Sequence, residues 1–119
     1  MNYKEDRPWG TFENLMDKEY CKVKEIIIKP GQAPSYQYHY KRSEVWVVVQ
    51  GLGLLTLEDT DYQVKKGDII DVPVKAKHRI RNISEKDLIF IEIQLGEYFG
   101  EDDIVRLRDD YDRGECWKK

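Results

Sequence analysis

The sequence predicts a single all-β domain of the barrel or sandwich kind, and three observations carry that expectation. β-Branched and aromatic residues crowd into short runs, and Gly, Pro, Asp and Ser punctuate the chain between them. The final run alternates with a period of two: Ile89, Ile91, Ile93 and Leu95 share one face, and Phe90, Glu92 and Gln94 the other. A length of 119 residues suits one hydrophobic core and is short for two.

In chain order, strands are expected at 22–29, 36–40, 44–50, 54–58, 62–64, 69–72, 78–81 and 88–95. The breaks fall at Pro30-Gly31, Gly51, residues 59–61, Lys66-Gly67-Asp68, Pro73 and residues 84–87. Ahead of the strands, Arg7-Pro8-Trp9-Gly10 reads as an ordered arm, because proline restricts the backbone and tryptophan needs a surface to pack on. Residues 102–113, a mixed-charge run around Ile104, Val105 and Leu107, read as a short helix. Glu101-Asp102-Asp103 would start that helix, capping its exposed N–H groups. The expected layout is one domain over 1–119: an N-terminal arm at 1–19, a barrel at 20–95, and a tail at 96–119 packed on the barrel.

Charged residues make up 36% of the chain and hydrophobic ones 40%, with a net charge of -3. That balance gives no reason to expect nucleic acid or a membrane as partner, so an anionic ligand would need a local cluster of Arg and Lys. No apolar run reaches the roughly 20 residues of a bilayer span. Two cysteines, Cys21 and Cys116, define no disulfide framework and are expected as free thiols in a cytoplasmic protein.

The chain's two histidines sit in patterned settings. Gly31 leads into Gln37, His39, Glu44 and Gly51. Gln37 and His39 are two apart on a strand and so share a face, and Glu44 opens the next strand after a short turn. Gly67 leads into Pro73, His78 and Asn82, with His78 beginning a strand that returns. Gln37, His39, Glu44 and His78 then supply an amide oxygen, two imidazoles and a carboxylate. That is a mixed nitrogen–oxygen set for one divalent transition metal: Zn, Mn, Fe, Co or Ni.

These two stretches resemble the first and second motifs of cupins, which implies a double-stranded β-helix, the cupin or jelly-roll barrel. Lys75 stands where the second motif usually has glycine. A narrower likeness covers nearly the whole chain. Arg7-Pro8-Trp9-Gly10, the stretches 20–31 and 35–46, and the tail from Ile91 to Arg106 are similar to the isomerase domain of type II phosphomannose isomerases. That domain is often fused behind a guanylyltransferase, whose glycine-rich signature is not in this chain. Tyr40 and Val45 stand where the family has histidines, and strand parity points both away from the metal.

The resemblance implies a free-standing isomerase interconverting mannose 6-phosphate and fructose 6-phosphate through a cis-enediol. A metal would act as Lewis acid and a base would move the proton. Glu92 is the preferred base. Arg42, in the turn beside Lys41, is assigned to the phosphate, which a guanidinium can grip with two parallel bonds. Lys41 and Tyr36 join it at the pocket mouth, with Arg79 and Arg81 in reserve. The alternatives are a non-catalytic cupin that binds a sugar phosphate or nucleotide sugar, and an isomerase or epimerase for another sugar of polysaccharide synthesis. A homodimer is the expected assembly, since sheet edges need covering.

Overall fold

The computed structural model describes residues 3–111. Eleven strands follow in order: β1 Lys4–Arg7, β2 Gly10–Asp17, β3 Cys21–Ile28, β4 Tyr36–Tyr38, β5 Arg42–Gln50, β6 Leu52–Leu57, β7 Thr60–Lys65, β8 Ile69–Val72, β9 His78–Asn82, β10 Leu88–Gly96 and β11 Val105–Arg108. They form two antiparallel sheets, one ordered β1-β2-β3-β10-β5-β8 and the other β11-β4-β9-β6-β7. Ile28, Val48 and Phe90 from the first sheet and Leu55, Val64 and Ile80 from the second belong to one buried cluster, so the core lies between the sheets.

Period-two alternation explains which side chains enter. On β10, Leu88, Phe90, Glu92 and Gln94 are buried, while Ile89, Ile91 and Ile93 are only half-buried. On β5, Arg42, Glu44, Trp46 and Val48 are buried. β3 turns Lys22 and Lys24 inward along with Ile26 and Ile28. Polar groups therefore gather at one end of the inner faces and the apolar core fills the other.

The N-terminal stretch is a hairpin rather than an isolated arm. β1 and β2 pair from Lys4↔Glu13 to Arg7↔Gly10, and Trp9 in the turn is buried in the core. Gly10, at φ 156°, lies so close to β3 that a Cβ there would come 1.9 Å from the Ile27 carbonyl oxygen. Only glycine fits that approach.

The expected C-terminal helix is not present: among the described residues there is no helix, and residues 105–108 form β11 on the edge of the second sheet. β4 offers that edge, pairing Val105↔Tyr38 and Arg106↔Gln37. Arg113 of the expected helix lies outside the described residues. No helix of the described residues is long and apolar enough to cross a membrane. Cys21 is a free thiol whose Sγ lies 3.7 Å from Met16 Sδ, and Cys116 lies outside the described residues.

Candidate metal centre

β4, β5 and β9 bring the four expected ligands together. Gln37 on β4 pairs directly with His78 on β9, and Glu44 comes from β5 of the facing sheet. One ligand atom from each of His39, Glu44 and His78 lies within 4.8 Å of the others, and all three residues are buried. His39 Nε2 is 3.4 Å from Glu44 Oε2.

Hydrogen bonds fix both imidazoles. His39 Nδ1–H donates to the Asp103 carbonyl at 2.6 Å, and His78 Nδ1–H donates to the Ala76 carbonyl at 2.9 Å. Each ring therefore presents an unprotonated Nε2 to the centre, the form that ligates metals. His78 Nε2 is buried and has no hydrogen-bond partner among the described residues. A buried acceptor left this way is costly, and a divalent cation is the partner its chemistry fits.

Gln37 fits less directly. Its Oε1 accepts from the Ser35 hydroxyl at 2.6 Å, and its amide nitrogen faces His39 Nε2 at 3.4 Å. Ligation through oxygen requires a half-turn of the amide, after which the Ser35 hydroxyl would accept instead of donate. The departures from the family pattern both point away from the cluster: Tyr40 is exposed, and Val45 faces outward between the inward Glu44 and Trp46. Lys75 takes a left-handed φ of 70° and donates its N–H to the His39 carbonyl, so the usual glycine there has a backbone reason.

Arg42 is not in an exposed turn. It opens β5, is 5% exposed, and donates from Nε to Glu44 Oε2 at 2.8 Å and from Nη2 toward His39 Nε2 at 3.3 Å. Trp46 adds an Nε1–H bond to Glu44 Oε1 at 2.9 Å. Burial alone would raise the Glu44 pKa, but the neighbouring His78, Arg42 and His39 outweigh it and hold the carboxyl at about 2. Arg42 is the one of these that stays charged at neutral pH. Burial lowers His39 to about 4 and lowers His78 as well. At neutral pH the three groups are thus free of ligating-site protons.

The centre opens on a cavity of about 410 Å³, a size that suits a small organic ligand. Glu92 lines it, 4.0 Å from Arg42 and hydrogen-bonded by Gln94 Nε2 at 2.6 Å. Burial first, and then the Glu44 charge, push Glu92 up to about 8. Arg7, Arg79 and Arg106 also line the cavity. Lys41 and Tyr36, expected at the mouth, do not. Lys41 is exposed over the Tyr98 ring, and the Tyr36 hydroxyl donates to Asp59 at 2.6 Å.

Three contributors escaped sequence reasoning: Lys24, Trp46 as a hydrogen-bond donor, and Asp103. Lys24 is buried against the Phe12 ring and paired with Glu101. Its signal was parity, since it alternates with Ile26 and Ile28 toward the interior. Asp103 caps the β4–β5 turn rather than a helix, its carboxylate accepting from the Tyr40 and Lys41 N–H groups.

The protonation states give a testable pH dependence for the metal-free protein. Unfolded, the two histidines take up protons near pH 6.5; folded, His39 refuses its proton until about pH 4 and burial holds His78 below its ordinary value too, so stability is lost as pH falls below about 6.5. Glu92 acts oppositely: folded, it keeps until about pH 8 a proton that it releases near 4.5 when unfolded, so stability falls as pH rises between those values. Thermal melts from pH 5.5 to 8.5 are expected to show a smaller alkaline decline in Glu92→Gln than in the unaltered chain. An equal decline in both would refute the assignment.

A two-sheet barrel with a His–Glu–His cluster at the open end of its core defines the class, a cupin with a candidate metal site. The chain belongs to the family described as Mannose-6-phosphate isomerase C-terminal, which it matches over residues 1–109. It is 40% identical over 105 residues to Mannose-1-phosphate guanylyltransferase 2 of Escherichia coli O157:H7, an alignment covering 88% of this chain and 22% of that protein. It is 38% identical over 107 residues to Alginate biosynthesis protein AlgA of Pseudomonas aeruginosa, covering 90% and 22%. Among solved structures, capsular polysaccharide assembling protein CapF of Staphylococcus aureus superposes with a TM-score of 0.79 at 24% identity, over 91% of this chain and 34% of that one, a likeness of fold.

These relatives correct the expectation of a free-standing isomerase. The chain corresponds to the C-terminal part of much longer proteins named for guanylyl transfer and polysaccharide biosynthesis, and it spans about a fifth of their length. The enzyme family is that of these mannose-phosphate proteins, and the isomerase activity is not carried over.

Proposed function

We propose that this chain is a metal-holding cupin module that binds a phosphorylated or nucleotide-linked sugar of polysaccharide-precursor chemistry. The observation that supports it most is the buried Nε2 of His78, which has no hydrogen-bond partner among the described residues and faces His39 and Glu44 beside the cavity. His39, Glu44 and His78 would hold the ion, with Gln37 as a fourth ligand after its amide turns. When bound, such an ion supplies Lewis acidity toward sugar oxygens. Arg7, Arg79 and Arg106 bring guanidinium groups to the cavity wall; a phosphate there would share Arg7 with Glu5 and Arg79 with Asp110, beside the wall carboxylates Glu101 and Asp102. The relatives' names, mannose-1-phosphate and alginate among them, support that choice of ligand class.

Glu92 favours a second, catalytic reading. A carboxyl with a pKa near 8 inside the cavity can hold or release a proton at neutral pH, the property of a general acid or base. It would act on the sugar bound beside it.

The test is calorimetry on purified protein. One zinc ion per chain is expected, and the zinc-loaded protein should bind mannose 1-phosphate more tightly than free mannose. Failure to take up zinc, or equal affinity for the two sugars, would overturn the reading. Zinc-dependent uptake of solvent deuterium into bound sugar would support the catalytic role of Glu92, and its absence would oppose it.

A further inference from the structure

The segment after β10 does more than close the sheet edge. Glu101, Asp102, Ile104 and Arg106 line the cavity, and Glu101 pairs with the buried Lys24. At its centre Asp103 is 8% exposed and grips three consecutive residues of the ligand-bearing stretch. Its carbonyl accepts from His39 Nδ1–H, its Oδ1 from the Tyr40 N–H at 3.0 Å, and its Oδ2 from the Lys41 N–H at 2.9 Å.

The stretch it grips has few other ties. β4 is three residues long and bonds to β9 through the single pair Gln37↔His78, and its other neighbour is β11, from the same C-terminal segment. Beyond β4, the Lys75 N–H holds the His39 carbonyl at 2.8 Å. Asp103 thus holds the Nδ1 side of the His39 ring at 2.6 Å, while Arg42 at 3.3 Å and Gln37 at 3.4 Å face its Nε2 side at longer range. Groups that orient a metal-binding histidine through its second nitrogen commonly change metal affinity by about 10–100-fold.

We propose that Asp103 is a positioning residue for the metal centre, and that metal uptake and docking of residues 97–108 stabilise each other. The inference rests on the metal reading above. Its reciprocity is a thermodynamic requirement: if the docked segment improves metal affinity, bound metal must favour the docked segment by the same factor. The segment then acts as a strap that reports whether the centre is filled.

Asp103→Ala keeps the backbone carbonyl that holds His39 but loses the carboxylate bonds that fix its position. Zinc affinity, measured by competition with a chromogenic chelator, is therefore expected to fall by up to about tenfold, the lower end of the range for losing the group itself. Asp103→Asn should lose less, because its amide oxygen still accepts one of the two N–H bonds. Melting curves of the metal-free variants establish that each is folded. On the unaltered chain, zinc is expected to slow hydrogen exchange at the Tyr40 and Lys41 amides and along β11. Undiminished zinc affinity in both variants, or exchange at those amides indifferent to zinc, would overturn the inference while leaving the metal site standing. Should Asp103→Ala not fold, Asp103→Asn and the exchange measurement decide. No zinc uptake by the unaltered chain would overturn the metal reading and this inference together.

Discussion

Replacing His78 with alanine is expected to cost the protein its metal, with zinc affinity falling by more than the roughly 100-fold typical of losing a group behind a ligand. His78 is buried, its Nδ1–H is held by the Ala76 carbonyl, and its ring stacks at an edge to Trp46 at 5.7 Å. The side chain cannot be replaced by a neighbour, since His39 is the only other histidine of the chain. The truncation also leaves the Ala76 carbonyl without its partner, so a fold cost of about 1–3 kcal/mol should accompany it. Elemental analysis after dialysis against zinc reads the first effect and thermal melting the second. A full metal complement in His78→Ala would exclude the proposed ligand set.

Arg42→Ala should have the largest effect on the metal-free fold, about 3–5 kcal/mol, which is the range for breaking a buried ion pair on one side. Glu44 is 2% exposed, and Arg42 is the permanent charge that offsets it, through a 2.8 Å bond to Oε2. Without the guanidinium, Glu44 keeps the Trp46 N–H bond but must otherwise bury its charge or take up a proton. Zinc should repair much of the loss, because a bound cation restores positive charge next to Glu44. At a free zinc concentration 100 times Kd, binding itself adds about 2.7 kcal/mol. Denaturant melts with and without zinc check both parts. An unchanged metal-free stability would show that Glu44 does not depend on Arg42.

Much of the fold was legible because period two and turn residues speak for themselves. The strands around His39, Glu44 and His78 were placed to within a residue or two, and β8 was placed at its observed bounds. The ligands could be read because their spacing on short strands fixes which side chains share a face. β1 escaped notice because Lys4-Glu5-Asp6-Arg7 shows no apolar alternation, and its strand is made by pairing with β2. β11 was misread as a helix because arginines alternate there with Val105 and Leu107. The open edge of β4, a tertiary feature, decides its conformation. Arg42 was misplaced by a strand boundary set two residues late: once β5 begins at 42, its parity with Glu44 and Trp46 sends it inward. Asp103 carried no local signal, since its partners lie more than 60 residues away.

The β1 strand has a consequence for how copies of this barrel meet. Its four residues are all charged, and it forms one outer edge of the six-stranded sheet. A charged border resists the addition of a foreign strand, because each incoming chain must strip water from those ions. The opposite border is β8, Ile69-Ile70-Asp71-Val72, where Ile69 is 69% exposed. The two borders of the sheet thus differ in kind, one made wholly of charged residues and the other mostly apolar, so the charged one is the less suited to strand addition.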